Sequence, residues 1–241
     1  MKRYLAIAIA LVSFRAIASA DTFTVLPDRA AQITSPTFDL IDWGANYGPA
    51  NNFSVPASTT WTSFNGATGT ITNVSGRDMA QVDQTFPGGG IWEGNFDIGE
   101  SLLYNQNNRN NPADGTIVNF NTPVNSVGFG IDADFYGSFT GQLEAFGKLG
   151  NLLFKLDSPG VANGNSDGSE LFLGLQDLSG PNIYSIDIQT GLDVDINDFA
   201  IDDISMTSDA AVPEPGSIVL LASALLCVAG LLRRRLSGES A

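Results

Sequence analysis

Residues 126–133 read Ser126-Val127-Gly128-Phe129-Gly130-Ile131-Asp132-Ala133. Val127, Phe129, Ile131 and Ala133 alternate with Ser126, Gly128, Gly130 and Asp132, and a period of two sends the two sets to opposite faces of an extended chain. The alternation recurs from Ile183 to Thr190, where Tyr184, Ile186, Ile188 and Thr190 share a face. Turn formers punctuate such runs at Asn65-Gly66, Pro87 to Gly90, Asn105 to Pro112, Ala113-Asp114-Gly115 and Ser158 to Ser169. No stretch of useful length carries a helical period. Many short strands separated by turns predict an all-β body, an antiparallel β-sandwich, with a barrel as the alternative.

Composition agrees with that class and narrows the partners. The 241 residues include 26 glycines, and only 15% are charged. Residues 21–212 hold five basic side chains (Arg29, Arg77, Arg109, Lys148, Lys155) against 24 acids, a formal charge of −19. Such a surface repels nucleic acid and anionic lipid, which leaves cations, neutral polymers and basic proteins. The single cysteine, Cys227, lies in a C-terminal apolar run, so the body has no disulfide and holds together by burial alone. A stretch of roughly 190 residues suffices, since domains of that size bury about two thirds or more of their unfolded surface.

The two ends read as addresses. Met1-Lys2-Arg3 supplies a positive start, Tyr4 to Phe14 an apolar run, and Ala18-Ser19-Ala20 the small-x-small pattern cut by signal peptidase. Residues 1–20 are therefore expected to be a signal peptide, with Asp21 as the mature N-terminus. At the other end Ser217 to Leu232 is free of charge and is followed by Arg233-Arg234-Arg235. As a helix it spans roughly 24 Å, short of a hydrocarbon core of about 30 Å. A snorkelling Arg233 lets it cross, with the tail 233–241 on the cytoplasmic side. Between body (21–208) and helix (217–232) lies the linker 209–216, in which Pro213 and Pro215 favour an extended conformation suited to a protease cleft.

Val212-Pro213-Glu214-Pro215, the Leu/Ala-rich helix through Leu232 and the arginines 233–235 resemble, in that order, the PEP-CTERM sorting signal of Gram-negative bacteria. The resemblance implies recognition of Pro213, Glu214 and Pro215 by an exosortase, in organisms that make exopolysaccharide and biofilm matrix. It implies transient anchoring in the inner membrane, then placement at the cell surface or outside it. The tail Leu236 to Ala241 runs longer than the usual abrupt basic end. A plain single-span anchor is the alternative.

Within the body, the predicted last strand is Asp198-Phe199-Ala200-Ile201-Asp202-Asp203-Ile204-Ser205-Met206. Strict alternation puts Phe199, Ile201 and Asp203 on one face and Ala200, Asp202, Ile204 and Met206 on the other. At least one aspartate then lies near the core, where it needs a backbone donor, a proton or a cation. With few basic side chains available, Ca²⁺ suits it, being a cation of hard oxygen ligands. The pattern resembles the closing strand of jelly-roll families such as MAM domains and carbohydrate-binding modules. There an acidic residue near the first strand joins a closing-strand aspartate at a structural Ca²⁺. The resemblance implies Asp39, Asp202 and Asp203 as ligands, the alternative being that they cap turns or accept backbone hydrogen bonds.

Other features read more plainly. Asn163 to Gly168 matches the first half of an EF-hand loop, but Gly174 stands where the bidentate glutamate belongs, so a hairpin turn is expected. Asp193, Asp195 and Asp198 alternate with Leu192, Val194 and Ile196, as on a half-solvated strand. Asn105 to Pro112 reads as a surface loop. Trp43, Trp61 and Trp92 are either sugar-stacking platforms or core filler. With no histidine, Ser-His-Asp and Cys-His nucleophiles and the usual zinc sites are absent. Carboxylate-based glycoside hydrolysis is the remaining chemistry, and no pair stands out among Glu93, Asp97, Glu100, Asp132, Asp134 and Glu144. The expectation is a non-enzymatic, exported component of exopolysaccharide or biofilm. A carbohydrate-binding module with a defined glycan, or a polysaccharide-cleaving sandwich, is the alternative.

Overall fold

The computed structural model describes residues 22–48, 53–85, 92–106, 115–191 and 198–208. Ala18 and Ala20, Val212 to Pro215, the run 217–232 and Arg233 to Arg235 lie outside the described residues. So do 107–112 of the asparagine-rich stretch, Ala113 and Asp114 of the turn after it, and Asp193 and Asp195.

The described residues form two antiparallel sheets. The first contains β1 (Phe23–Val25), β2 (Asp39–Ile41), β3 (Phe53–Val55), β6 (Met79–Asp83), β7 (Ser101–Asn105), β9 (Ser126–Ala133), β12 (Leu171–Asp177), β14 (Phe199–Ile201) and β15 (Ile204–Thr207). Its order is β1-β12-β9-β14-β7-β6-β3, with β15 also on β9 and β2 beside β15. The second contains β4 (Ser58–Thr62), β5 (Thr68–Asn73), β8 (Thr116–Val124), β10 (Gly137–Phe146), β11 (Leu152–Ala162) and β13 (Ile183–Gly191), in the order β11-β10-β13-β8-β5-β4. Two short helices, α1 (Ala30–Ile33) and α2 (Trp43–Tyr47), interrupt the strands.

The all-β expectation holds, and period two explains the core. Val127, Phe129 and Ile131 of β9 and Leu173 and Leu175 of β12 share one apolar cluster with Leu143 of β10, Ile186 and Ile188 of β13, Val118 of β8 and Ile71 of β5. Each sheet thus turns one face inward onto the other, as in a sandwich. The nine-stranded sheet is also covered on its outer face, where Ala80, Val82, Trp92, Phe96, Leu102 and Ala200 form a second cluster. Consequently all eight residues of β9 are buried, including Ser126, Gly128, Gly130 and Asp132.

Several details correct the sequence reading. Trp43, Trp61 and Trp92 are 0%, 1% and 5% exposed, so none presents a ring face to a sugar. Asn105 is not in a solvated loop; it ends β7, buried, and its amide donates to Thr116 Oγ1 at 2.6 Å. Asn163 to Gly168 is no hairpin turn, because it joins β11 of one sheet to β12 of the other. In β13 the buried phase takes in Ile183 rather than Tyr184, because the pairing with β8 shifts register between Ile183 and Ser185.

The closing strand departs most. Ile201 lies opposite Ile131 and Ser205 opposite Gly128, so four steps on one strand match three on β9. The extra residue is a β-bulge at Asp202-Asp203. It reverses the alternation, and Phe199, Ile201, Ile204 and Met206 all enter the same inter-sheet core.

Candidate metal centre

The bulge lies between β14, which pairs β7, and β15, which pairs β2. Two carbonyls there lose ladder partners, and side chains replace them. Trp43 Nε1 donates to the Asp202 carbonyl at 2.7 Å, and Arg29 donates to the Asp203 carbonyl at 2.8 Å. This is why Trp43 is buried at the start of α2: its indole is part of the sheet's hydrogen bonding.

The same bulge aims Asp202 across the outer face of β9. Its Oδ1 accepts from the Gly130 N–H at 2.6 Å and its Oδ2 from Arg29 at 2.6 Å. Two further acids converge from the residues just before β7 and β12. Carboxylate oxygens of Glu100, Glu170 and Asp202 lie within 4.8 Å of one another. Gly130 makes room for them, since a Cβ there would lie 2.6 Å from Glu170 Cγ and 3.0 Å from Asp202 Oδ2.

Burial decides the electrostatics. It pushes Asp202 upward, while Arg29 and the Gly130 N–H pull part of the way back. Glu170 is raised to about 7 by burial and then by Asp202, Glu100 and Asp97. Burial and the Asp202 charge also raise Glu100, against the opposing Asp97 N–H and Arg29. Ionised together, three carboxylates against one guanidinium leave a formal excess of two negative charges. Glu170 Oε2 is buried without a hydrogen-bond partner. Protons or a cation must supply the balance.

The donor set fits a hard divalent cation. All three groups offer oxygen, Glu170 Oε2 is uncommitted, and Ca²⁺ accepts irregular oxygen shells completed by carbonyls or water. Arg29 competes for Asp202 Oδ2, so an ion here draws chiefly on Glu100, Glu170 and the remaining lone pairs of Asp202.

Of the expected ligands, only Asp202 takes part. Asp39 faces Met206 across the β2–β15 ladder, four residues beyond Asp202, or about 13 Å at strand spacing. Its carboxylate accepts from Ser63 Oγ at 2.5 Å and from the Asn65 and Leu40 N–H groups at 2.9 Å. Asp203, the second bulge residue, accepts from the Trp43 N–H at 3.3 Å. Burial and then the Asp42 and Asp202 charges raise it to about 7. Glu100 was only a catalytic candidate in the sequence, and Glu170 had no signal. Each sits at a strand start whose neighbours are distant in the chain.

Other acids have partners of their own. Asp132 accepts from the Asn95 and Ala133 N–H groups, and burial raises it to about 7. Tyr104 donates its hydroxyl to Asp134 at 2.6 Å and lies 3.3 Å from Asp198.

Residues 211–235 match the PEP-CTERM protein-sorting motif, so the chain carries the signal that marks exported proteins and implies processing by an exosortase. No curated protein matches the sequence. Among solved structures, the chain is similar to a DUF4465 family protein from Bacteroides caccae, at 10% identity and a TM-score of 0.46, covering 71% of this chain and 99% of that one. An exo-β-agarase matches at 12% identity and a TM-score of 0.42, over 74% of this chain and 25% of that one. A family 11 carbohydrate-binding module of a Clostridium thermocellum cellulase matches at 12% identity and 0.27, over 79% and 97%. Among the described residues no helix is long and apolar enough to cross a membrane.

Proposed function

We propose that this protein is a non-enzymatic component of the cell surface or of an exopolysaccharide matrix, with a sandwich body braced by a divalent cation. The observation that carries the reading is the sorting motif at 211–235. Signal peptidase removes residues 1–20, the run 217–232 holds the chain in the inner membrane, and Arg233 to Arg235 keep the tail in the cytoplasm. Exosortase then acts near Val212-Pro213-Glu214-Pro215 and frees the body, a sequence of events like that of other tail-processed anchors. The non-enzymatic reading rests on the lack of histidine and on the commitment of Asp132, the fully buried catalytic candidate, to the backbone donors of Asn95 and Ala133.

Pro213→Ala with Pro215→Ala in the native host tests the sorting. A longer, membrane-retained species is expected, and an unaltered mature C-terminus refutes the reading. The cation is tested separately, by unfolding the full chain with Ca²⁺ and with chelator. Because an ion bound only to the folded state raises the melting temperature, equal melting temperatures rule it out. Release of reducing sugar from exopolysaccharide, abolished by a single carboxylate-to-amide change, is the result that establishes an enzyme instead.

A further inference from the structure

The part of the six-stranded sheet's outer face built by β4, β5 and β8 differs in charge from the rest of the body. β4, β5 and β8 contain no Asp, Glu, Lys or Arg, in a chain of 26 acids and 11 bases. Their inward residues Trp61, Ile71, Val118 and Phe120 are core. Their outward residues are Ser58, Thr60 and Thr62, then Thr68, Thr70 and Thr72, then the half-buried Ile117 with Asn119 and Asn121.

Register lines these side chains up. Thr60 lies opposite Thr70, Thr70 opposite Asn119, Asn119 opposite Ser185, and Ser185 opposite Phe146. This uncharged row crosses five strands, about 19 Å at normal strand spacing. In the next row charge returns only at Asp187, Glu144 and Lys155. Cross-strand bonds hold the rows in place: Asn119 to Thr70 at 3.1 Å, Asn121 to Thr68 at 2.9 Å, and Ser58 with Thr72 at 3.0 Å. The adjoining edge is closed. Asn46 of α2 donates to the Thr62 carbonyl and accepts from the Thr62 N–H, as a neighbouring strand would.

These features select a ligand chemistry. An apolar partner would strip water from hydroxyls and amides without replacing their hydrogen bonds. An anionic polymer is repelled by the acidic body. A neutral, hydroxyl-rich chain meets both conditions, because the hydroxyls of Thr68, Thr70 and Thr72 keep spare donor or acceptor capacity after their cross-strand bonds. Side chains already held in rows lose little further freedom on binding. We propose that this face, centred on Thr70 and Asn119, binds a neutral polysaccharide laid across the strands. The proposal rests on the reading of the protein as a matrix component and names the surface that would make it one.

Affinity electrophoresis of the full chain in gels containing hydroxyethylcellulose, galactomannan or alginate tests it. Retardation is expected in at least one neutral gel and not in alginate. Thr70→Glu should weaken that retardation about tenfold or more, Thr70→Ser should retain it, and Leu149→Ser, at an exposed turn, should leave it unchanged. Thr70→Glu must melt within a few degrees of the wild type. A Thr70→Glu that fails this check passes the test to Asn119→Asp, with the same expected loss. Three results overturn the proposal: no retardation by any neutral polymer, equal retardation in alginate, or a folded acidic variant that binds like wild type. Self-association abolished by Thr70→Glu also overturns it, by assigning the face to a second copy of the chain. The sorting assay is separate: a chain that is processed but not retarded fails here alone, and one retarded but not processed fails as an exosortase substrate.

Discussion

Replacing Arg29 with leucine tests how the bulge is held. Arg29 donates to Asp202 Oδ2 at 2.6 Å and to the Asp203 carbonyl at 2.8 Å, and the two side chains of the ion pair are 27% and 5% exposed. Without the guanidinium, Asp202 keeps only the Gly130 N–H and the Asp203 carbonyl loses a donor. Removing one partner of a buried pair costs about 3–5 kcal/mol, and the partial exposure of Arg29 puts the expectation at about 3. For a domain of this size that lowers the melting temperature by about 6–12 °C. Asp202→Asn in the same background removes the stranded charge. The double variant should therefore be more stable than the sum of the single losses, by roughly 1–3 kcal/mol. Unfolding followed by circular dichroism, with Ca²⁺ and with chelator, reads all four proteins. With its competitor gone, an ion at Glu100, Glu170 and Asp202 should stabilise Arg29→Leu more than wild type. A loss under about 1 kcal/mol, or strict additivity, refutes the reasoning.

Three further outcomes follow from the same geometry. In metal-free protein, burial raises Asp132, Glu170 and Asp203 to about 7 and Asp187 to about 6. The folded state then binds more protons than the unfolded one above the ordinary carboxylate range. The stability these four groups contribute is full below about pH 4 and is lost as pH rises through about 7, so melting temperatures in chelator that stay flat or rise between about pH 5 and 8 contradict it. Gly130→Ala should cost about 1–3 kcal/mol by crowding Glu170 and Asp202 and should reduce any Ca²⁺ stabilisation, and wild-type behaviour in both respects would show that the carboxylates do not close over β9. Trp43→Phe should cost about 1–3 kcal/mol by orphaning the Asp202 carbonyl, a loss that urea titration at constant slope measures.

The closing strand shows how far the sequence could be read. Its apolar residues fall on odd positions at Phe199 and Ile201 and on even positions at Ile204 and Met206. Strict alternation turned that into two mixed faces, each with an aspartate. The change of phase between Ile201 and Ile204 was itself the mark of a bulge. Read so, it places all four in one core and frees Asp202 for the opposite face. The resemblance to calcium-bearing jelly rolls pointed to Asp39, but the β2–β15 register carries Asp39 to the far end of the ladder. The tryptophans were ambiguous because burial depends on what covers a strand, and the outer cluster around Trp92 is assembled from segments that alternation does not connect.

The sequence by itself determined the strand-built body, its acidity, the absence of histidine and disulfide chemistry, and the sorting motif. These depend on local period, on composition or on a short contiguous signal. Tertiary structure decided that Glu100 and Glu170 meet Asp202 over Gly130, and that the hydroxyl and amide residues of β4, β5 and β8 form one uncharged face. Both depend on register between strands far apart in the chain. A single-residue shift sends a side chain to the other face of its sheet, and no local pattern records which strand lies beside which.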